Sequence, residues 1–309
     1  MASEQDSNRR EALKLLTRLA AASTAAAPLA AAAAAAPSSP QARPRLELTS
    51  LFDLKNKVAV LTDVGGGGSK EVAHLIAAAG AHVVIADRVY EPAKALAAQI
   101  VAAGGNAVAF DTDIESEQSV VALFQDVAKA AGRLDILVNC AGMVANQPLV
   151  ETTVQQWDDV MSLNLRANFL CMREAVKQMV AGARGGRIVN ITTIGANHPV
   201  MNNNEAYGAA RLGVTALSRN TALDYAKDGI LVNTVLAGAI LDKVSTHPST
   251  IARIKAGYHM GGPIQGPGRM PLGYGDMTDV AAAVLYLVSP ASRYMTGQSM
   301  ILDGGFFVT

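Results

Sequence analysis

The fold is decided by Thr62-Asp63-Val64-Gly65-Gly66-Gly67-Gly68-Ser69. This stretch follows the apolar run Val58-Ala59-Val60-Leu61 and opens a helical pattern at Val72, Ala73, Ile76 and Ala77. A short β-branched apolar run reads as a buried strand, and spacings of three and four residues read as one helix face. Strand, glycine-rich turn and helix in that order make a phosphate cradle. The free N–H groups of the first helical turn face the anion, and glycine lets the backbone approach it.

The alternation continues outward from the cradle. Apolar runs at Val58–Leu61, Val83–Ala86, Ala107–Phe110, Ile136–Val138, Ile188–Ile191, Leu231–Val235 and Met300–Leu302 predict seven short buried strands. Helical patterns fall between them at Val72–Ala79, Pro92–Ala103, Glu117–Ala131, Val154–Val180, Ala206–Ala226 and Asp279–Val288. Pro92 suits a first helical turn and Thr278 an N-cap. Strand–helix alternation with right-handed crossovers predicts a single α/β domain: a doubly wound, seven-stranded parallel sheet covered on both faces. The stretch 239–274 breaks the rhythm. It is rich in Gly, Pro and Met and long for a loop, which predicts a lid over a substrate.

Composition narrows the function. Lys plus Arg and Asp plus Glu are each 26, so the formal net charge is zero, which argues against a nucleic-acid partner. Half of the 309 residues are apolar, enough for one large core. Cys140 and Cys171 lie in apolar surroundings and read as buried thiols. The histidines have no metal-ligand spacing, so no metal is expected.

The N-terminal part differs in kind. Asn8-Arg9-Arg10-Glu11-Ala12-Leu13-Lys14 precedes a nearly all-alanine stretch from Leu19 to Ala36, then Pro37-Ser38-Ser39-Pro40. A charged start, a mild apolar stretch and small residues predict a signal peptide over 1–36, a linker over 37–50 and the folded domain over 51–309. The paired arginines resemble the twin-arginine export signal, with Asn8 and Ala12 in place of its usual Ser and Phe. The weak hydrophobicity, interrupted by Arg18, fits that signal better than a membrane anchor. The expectation is a periplasmic or otherwise exported protein that meets the twin-arginine machinery and has no stable membrane insertion after processing. The location is cytoplasmic if this segment is not a functional signal.

From Leu51 to Thr309 the chain resembles the short-chain dehydrogenase/reductase family, which implies a Rossmann fold. The family turn is T-G-x-x-x-G-x-G. Ungapped alignment pairs Thr62 with its Thr, Asp63 with the first Gly, Gly67 with the second and Ser69 with the third. Gly67 keeps the close approach to pyrophosphate, and Ser69 is the smallest polar substitute. Asp63 places a carboxylate facing phosphate. At about 6 Å and an effective dielectric near 20 this costs roughly 3 kcal/mol, about a hundredfold in affinity. Gly65, Gly66 and Gly68 give the turn other paths. Asp87, at the end of the second strand, stands where the family binds the adenosine ribose and favours NAD; Arg88 keeps NADP as the lesser alternative. Asp113-Ile114 matches the adenine-contacting pair, and Asn139-Cys140-Ala141-Gly142 resembles N-N-A-G. The resemblance thus implies a cofactor set of Thr62, Gly65, Gly67, Gly68, Asp87, Arg88, Asp113, Ile114, Asn139, Ala141 and Gly142, joined by Tyr207 and Arg211.

Tyr207-Gly208-Ala209-Ala210-Arg211 aligns with the family's Y-x-x-x-K, and the i, i+4 spacing puts both side chains on one helix face. The phenol gives or takes the carbinol proton. A free Tyr titrates near pH 10, so a neighbouring cation is needed to favour its phenolate. Arg211 keeps that charge in a wider, planar head that matches ribose hydroxyls less well than Lys. Thr193 stands for the Ser that polarises the carbonyl, with Thr192 in reserve, and Asn164 matches the family's relay Asn. Asn233 and Gly238 match V-N-x-V-x-P-G, and Asp303-Gly304-Gly305 matches a structural D-G-G. The implied function is hydride transfer between NAD and a small alcohol or carbonyl, sugar- or polyol-like among the candidates, in a homo-dimer or homo-tetramer built through the two long central helices and the last strand. The altered glycines and Arg211 leave an alternative: a non-catalytic protein on the same fold that binds a ligand or serves assembly.

Overall fold

The computed structural model describes residues 2–22, 47–64, 69–142, 144, 146–240 and 270–308. Seven parallel strands form one sheet: β1 (Val58–Thr62), β2 (His82–Asp87), β3 (Asn106–Asp111), β4 (Ile136–Asn139), β5 (Gly186–Thr193), β6 (Ile230–Ala237) and β7 (Ser299–Leu302). Their spatial order is β3-β2-β1-β4-β5-β6-β7. The order reverses between β1 and β4, and a ligand crevice opens at the carboxyl ends of strands flanking such a switch point.

Strand alternation divides the core. Val58 and Val60 face one layer while Ala59 and Leu61 face the other, and β2 repeats this with Val84 against Val83 and Ile85. Helices α2 (Lys70–Ala78), α3 (Tyr90–Ala102) and α8 (Met277–Val288) cover the Leu61 face. Helices α4 (Glu117–Ala131), α6 (Ala167–Gly182) and α7 (Glu205–Tyr225) cover the Val60 face. All seven expected strands are present, each a residue or more longer than its apolar run, because ladder pairing continues into polar residues such as Thr62 and Asn139.

Two boundaries differ from the sequence reading. The helix expected over Val154–Val180 is α5 (Val154–Met161), a π-helical turn (Ser162–Arg166) and α6. The N-cap of α8 is Asp276, not Thr278. The Asp276 carboxylate accepts from the Thr278 N–H, and Asp279 closes a capping box, leaving Thr278 inside the first turn.

The segment read as an export signal is partly described. Helix α1 (Ala2–Ala22) lies against β3 and α4. Ala12 and Leu16 are buried in the core of that layer, with Leu13 packed beside them, a spacing of one, three and four residues on one face. Arg9 donates through two guanidinium nitrogens to Asp126 of α4. The alanine-rich stretch beyond Ala22, the cleavage region and most of the linker lie outside the described residues, as does 241–269, most of the expected lid. No helix among the described residues is long and apolar enough to cross a membrane.

Candidate active site

The crevice floor is built by a polar row across the strand ends. Thr62 pairs in register with Asn139, and Asn139 with Asn190. Asn139 donates to the Asn190 side-chain oxygen at 2.7 Å, and Asn190 donates to Ser218 Oγ at 2.8 Å. The Cys140 N–H donates to Thr62 Oγ1 at 3.3 Å. Thr62, Asn139, Asn190 and Ser218 are buried, and each bond spares a buried polar atom a desolvation cost of about 1–3 kcal/mol. The row ties β1, β4 and β5 to α7, the helix that carries the candidate catalytic pair. Asn190 and Ser218 were not anticipated. A lone Asn within the run Ile188–Ile191 was the available signal.

Asp63 has the backbone that its alignment with a glycine demands: φ is +55°. Left-handed backbone at a non-glycine residue costs roughly 1–2 kcal/mol, and Asp is among the residues that tolerate it best. Its N–H is held by the Ala86 carbonyl at 2.9 Å. Gly65, Gly67 and Gly68 lie outside the described residues, so the path of the cradle beyond Val64 is not described. Ser69 is buried at the start of α2.

Asp87 is buried at the end of β2, and one carboxylate oxygen accepts from the Val89 N–H at 2.8 Å. Arg88 turns to Glu115, with Nη1 and the carboxylate 3.0 Å apart. Asp113 is exposed, its carboxylate accepting from the Glu115 N–H, while Ile114 is buried. These four residues share the strand ends on one side of the switch point.

On the other side lie the catalytic candidates. Arg211 is only 4% exposed. Its Nη2 donates to the Ala141 carbonyl at 2.9 Å, and its head lies 5.3 Å from the centre of the Tyr207 ring. Nε and Nη1 are buried without hydrogen-bond partners. The head rests on Gly142, where an added Cβ would lie 1.5 Å from Nη2, so a side chain there would displace the guanidinium from this seat. Burial lifts the Cys140 thiol well above its ordinary range. The Asp63 carboxylate adds to that, while Ser69 and the Arg211 charge oppose it. Cys140 is therefore a protonated thiol between the two altered positions, not a nucleophile. Cys171, deep in the core, is pushed up to about 12 by burial. Both cysteines are free.

Thr193 ends β5. Its Oγ1 accepts from the Gly195 N–H at 3.1 Å, which leaves its own proton for a ligand. Thr192 is turned to β6, its hydroxyl 3.5 Å from the Val235 carbonyl, so Thr193 is the better placed of the two catalytic candidates. Thr193 and Tyr207 line one cleft of about 330 Å³. Asn164 is fully buried in the π-helical turn, its side chain donating to the Val160 carbonyl at 3.0 Å. Such turns recur at functional sites because the extra residue redirects a carbonyl out of the helix ladder. Here the Asn164 carbonyl accepts from Asn168 at 3.1 Å. Asn233 binds the Met295 carbonyl and the Gln298 N–H, locking the approach to β7, and Asp303 accepts from the Gly305 and Phe307 N–H groups. The Asn233 and Asp303 side chains are structural.

The comparisons with known proteins identify the family. A family model described as enoyl-(acyl carrier protein) reductase matches residues 67–307. The chain is 31% identical over 258 residues to a D-threitol dehydrogenase of Mycolicibacterium smegmatis, covering 83% of this chain and 95% of that protein. It is 32% identical over 256 residues to a trans-4-hydroxycyclohexanecarboxylate dehydrogenase of Sinomonas cyclohexanicum, covering 81% and 92%. A crystal structure described as a 2-deoxy-D-gluconate 3-dehydrogenase of Agrobacterium tumefaciens, with bound NADP, superposes with a TM-score of 0.71 at 32% identity, covering 84% of this chain and 99% of that one. The chain belongs to the short-chain dehydrogenase/reductase family, a family of NAD(P)-dependent oxidoreductases.

Proposed function

We propose that the protein transfers hydride between a nicotinamide dinucleotide and a small secondary alcohol or its ketone. The observation that carries this is the convergence of Thr193 and Tyr207 on one cleft beside the buried, cationic Arg211. The site fits a dinucleotide. Arg211 carries two buried guanidinium nitrogens without hydrogen-bond partners, donors that ribose hydroxyls would satisfy. A dinucleotide held there would supply the two-electron hydride acceptor, and Tyr207 as phenolate would take the alcohol O–H proton, which accounts for the ketone formed. Thr193 donates to the substrate oxygen and fixes its position. Asn164 keeps the α5–α6 junction in place beneath α7. Thr62, Asn139 and Ala141 hold the floor, and Asp87 with Asp113 and Ile114 forms the adenosine end. Asp87 favours NAD over NADP, and the Arg88–Glu115 pair holds back the cation that a 2′-phosphate needs.

Export is also proposed, on Arg9-Arg10 and the alanine-rich stretch that follows. In the folded chain Arg9 is held by Asp126, so the twin-arginine machinery has to lift α1 from β3 and α4. A second copy is proposed on the apolar groove of α6 and α7, where Phe169 and Val180 are exposed beside Val176 and Leu217. Contact between such helix pairs makes an isologous dimer.

The test is titration of NADH fluorescence with wild type and with Tyr207→Phe, alongside initial rates for both. Binding by both, with activity lost on removing the phenol by about 10²–10⁴-fold, is expected. Absence of dinucleotide binding would turn the reading to the non-catalytic alternative.

A further inference from the structure

Among the described residues, the cleft that holds Thr193 and Tyr207 is lined mostly by apolar side chains. Its walls include Val144, Ile194, Val200, Met201, Met270 and Phe306. Among the described residues lining it, only Thr192, Thr193 and Tyr207 have polar side chains, and none is charged. The Thr192 hydroxyl is turned to the Val235 carbonyl at 3.5 Å, a long contact. Thr193 and Tyr207 are the two hydroxyls that one reacting oxygen uses. Nothing else among the described lining residues offers a side-chain partner to a second hydroxyl or a countercharge to a carboxylate. The polar run Asn202 to Glu205 lines a different groove, which shares Val200 and Met201 with the cleft. At about 330 Å³ the cleft lies at the small end of ligand pockets, roughly 300–1,000 Å³.

We infer that the substrate is a compact, uncharged secondary alcohol or ketone with a hydrocarbon body, of alicyclic size, and not a polyol or sugar acid. This rests on the hydride-transfer reading above. Each hydroxyl buried without a partner weakens a polyol by roughly tenfold, and an unpaired carboxylate by more. Hydrocarbon surface placed against Val200, Met201 and Phe306 gains affinity in proportion to the area removed from water. The two named relatives supply contrasting probes. Cyclohexanol against D-threitol sets a hydrocarbon body against a polyol, and cyclohexanol against trans-4-hydroxycyclohexanecarboxylate adds a charged group to the same ring.

The experiment measures kcat/KM for these three alcohols with NAD and with NADP. In parallel, it follows the change in NADH fluorescence as cyclohexanone, D-threitol or cyclohexanecarboxylate is added to the binary complex. Cyclohexanol is expected to exceed D-threitol and the hydroxy acid by at least about tenfold, with cyclohexanone binding tightest. Met201→Gln conserves volume and adds a polar amide to the wall. It is expected to narrow the threitol gap by several-fold. Equal or better turnover of D-threitol or the hydroxy acid overturns the inference while leaving hydride transfer intact. So does equal binding of the three ligands where no alcohol turns over. Failure to bind either dinucleotide overturns the hydride-transfer reading itself.

Discussion

The two sides of the crevice differ in how they meet the family pattern. At the ends of β5 and α7, Thr193 and Tyr207 keep a hydroxyl and a phenol where the chemistry needs them. At the ends of β1 and β4, Asp63 stands for a glycine, Cys140 for an asparagine, and Arg211 reaches across from α7 in place of lysine. The difference follows from what each side does. Proton transfer needs a particular atom within hydrogen-bond reach, and no other side chain substitutes for a phenol there. The floor needs shape and summed charge, which several residue combinations supply. Asp63 adopts the left-handed backbone of the glycine that it replaces, and Gly142 leaves room for the broader Arg211 head. Cys140 feels both altered charges, in opposite directions.

That contrast can be broken by experiment. The largest effect is expected on the catalytic wall: Thr193→Val keeps the shape, removes the donor and lowers kcat by about 10²–10³-fold with dinucleotide affinity unchanged. A small change in kcat would mean that Thr193 is no more specified than the floor. On the floor, Asp63→Gly is expected to tighten NADH binding by about tenfold to a hundredfold in a fluorescence titration, since the carboxylate facing phosphate is gone. Unchanged affinity would place that carboxylate away from the phosphates. A several-fold rise in kcat is expected for Arg211→Lys, whose compact ammonium suits ribose hydroxyls better. A loss of activity would show instead that the planar head, seated on Ala141 and Gly142, is adapted to its place. The smallest effect belongs to neither side. Asp126→Ala removes the partner of Arg9, whose side chain is 46% exposed, so stability should fall by less than about 1 kcal/mol. Limited proteolysis within α1 should nevertheless accelerate. Protection equal to wild type would mean that Ala12 and Leu16 hold the helix without the ion pair.

Much of this architecture was legible in the chain. The strand runs were readable because strands buried on both faces are continuously apolar, and Glu117–Ala131 matched α4 because its periodicity and flanking residues agree. The break after Met161 was not readable, since a π-helical turn keeps the helical pattern of apolar residues and alters only the hydrogen-bond ladder. The Asp276 cap was missed because Thr278 is an equally good capping residue by type, and only backbone geometry selects between them.

The sequence by itself determined the doubly wound sheet, the cradle's place after β1 and the pairing of Tyr207 with Arg211 on one helix face. Each follows from local periodicity and spacing, and a chain carries those without being folded. The tertiary structure decided which of the two cleft-lining threonines turns its hydroxyl to β6, that Asn190 and Ser218 continue the polar floor from Asn139, and that most of the described residues lining the cleft are apolar. It also decided that Arg9 of the paired arginines meets Asp126. These are contacts between residues far apart in sequence, such as Val144 with Phe306 across one cleft, and only the packing of several elements at once brings them together.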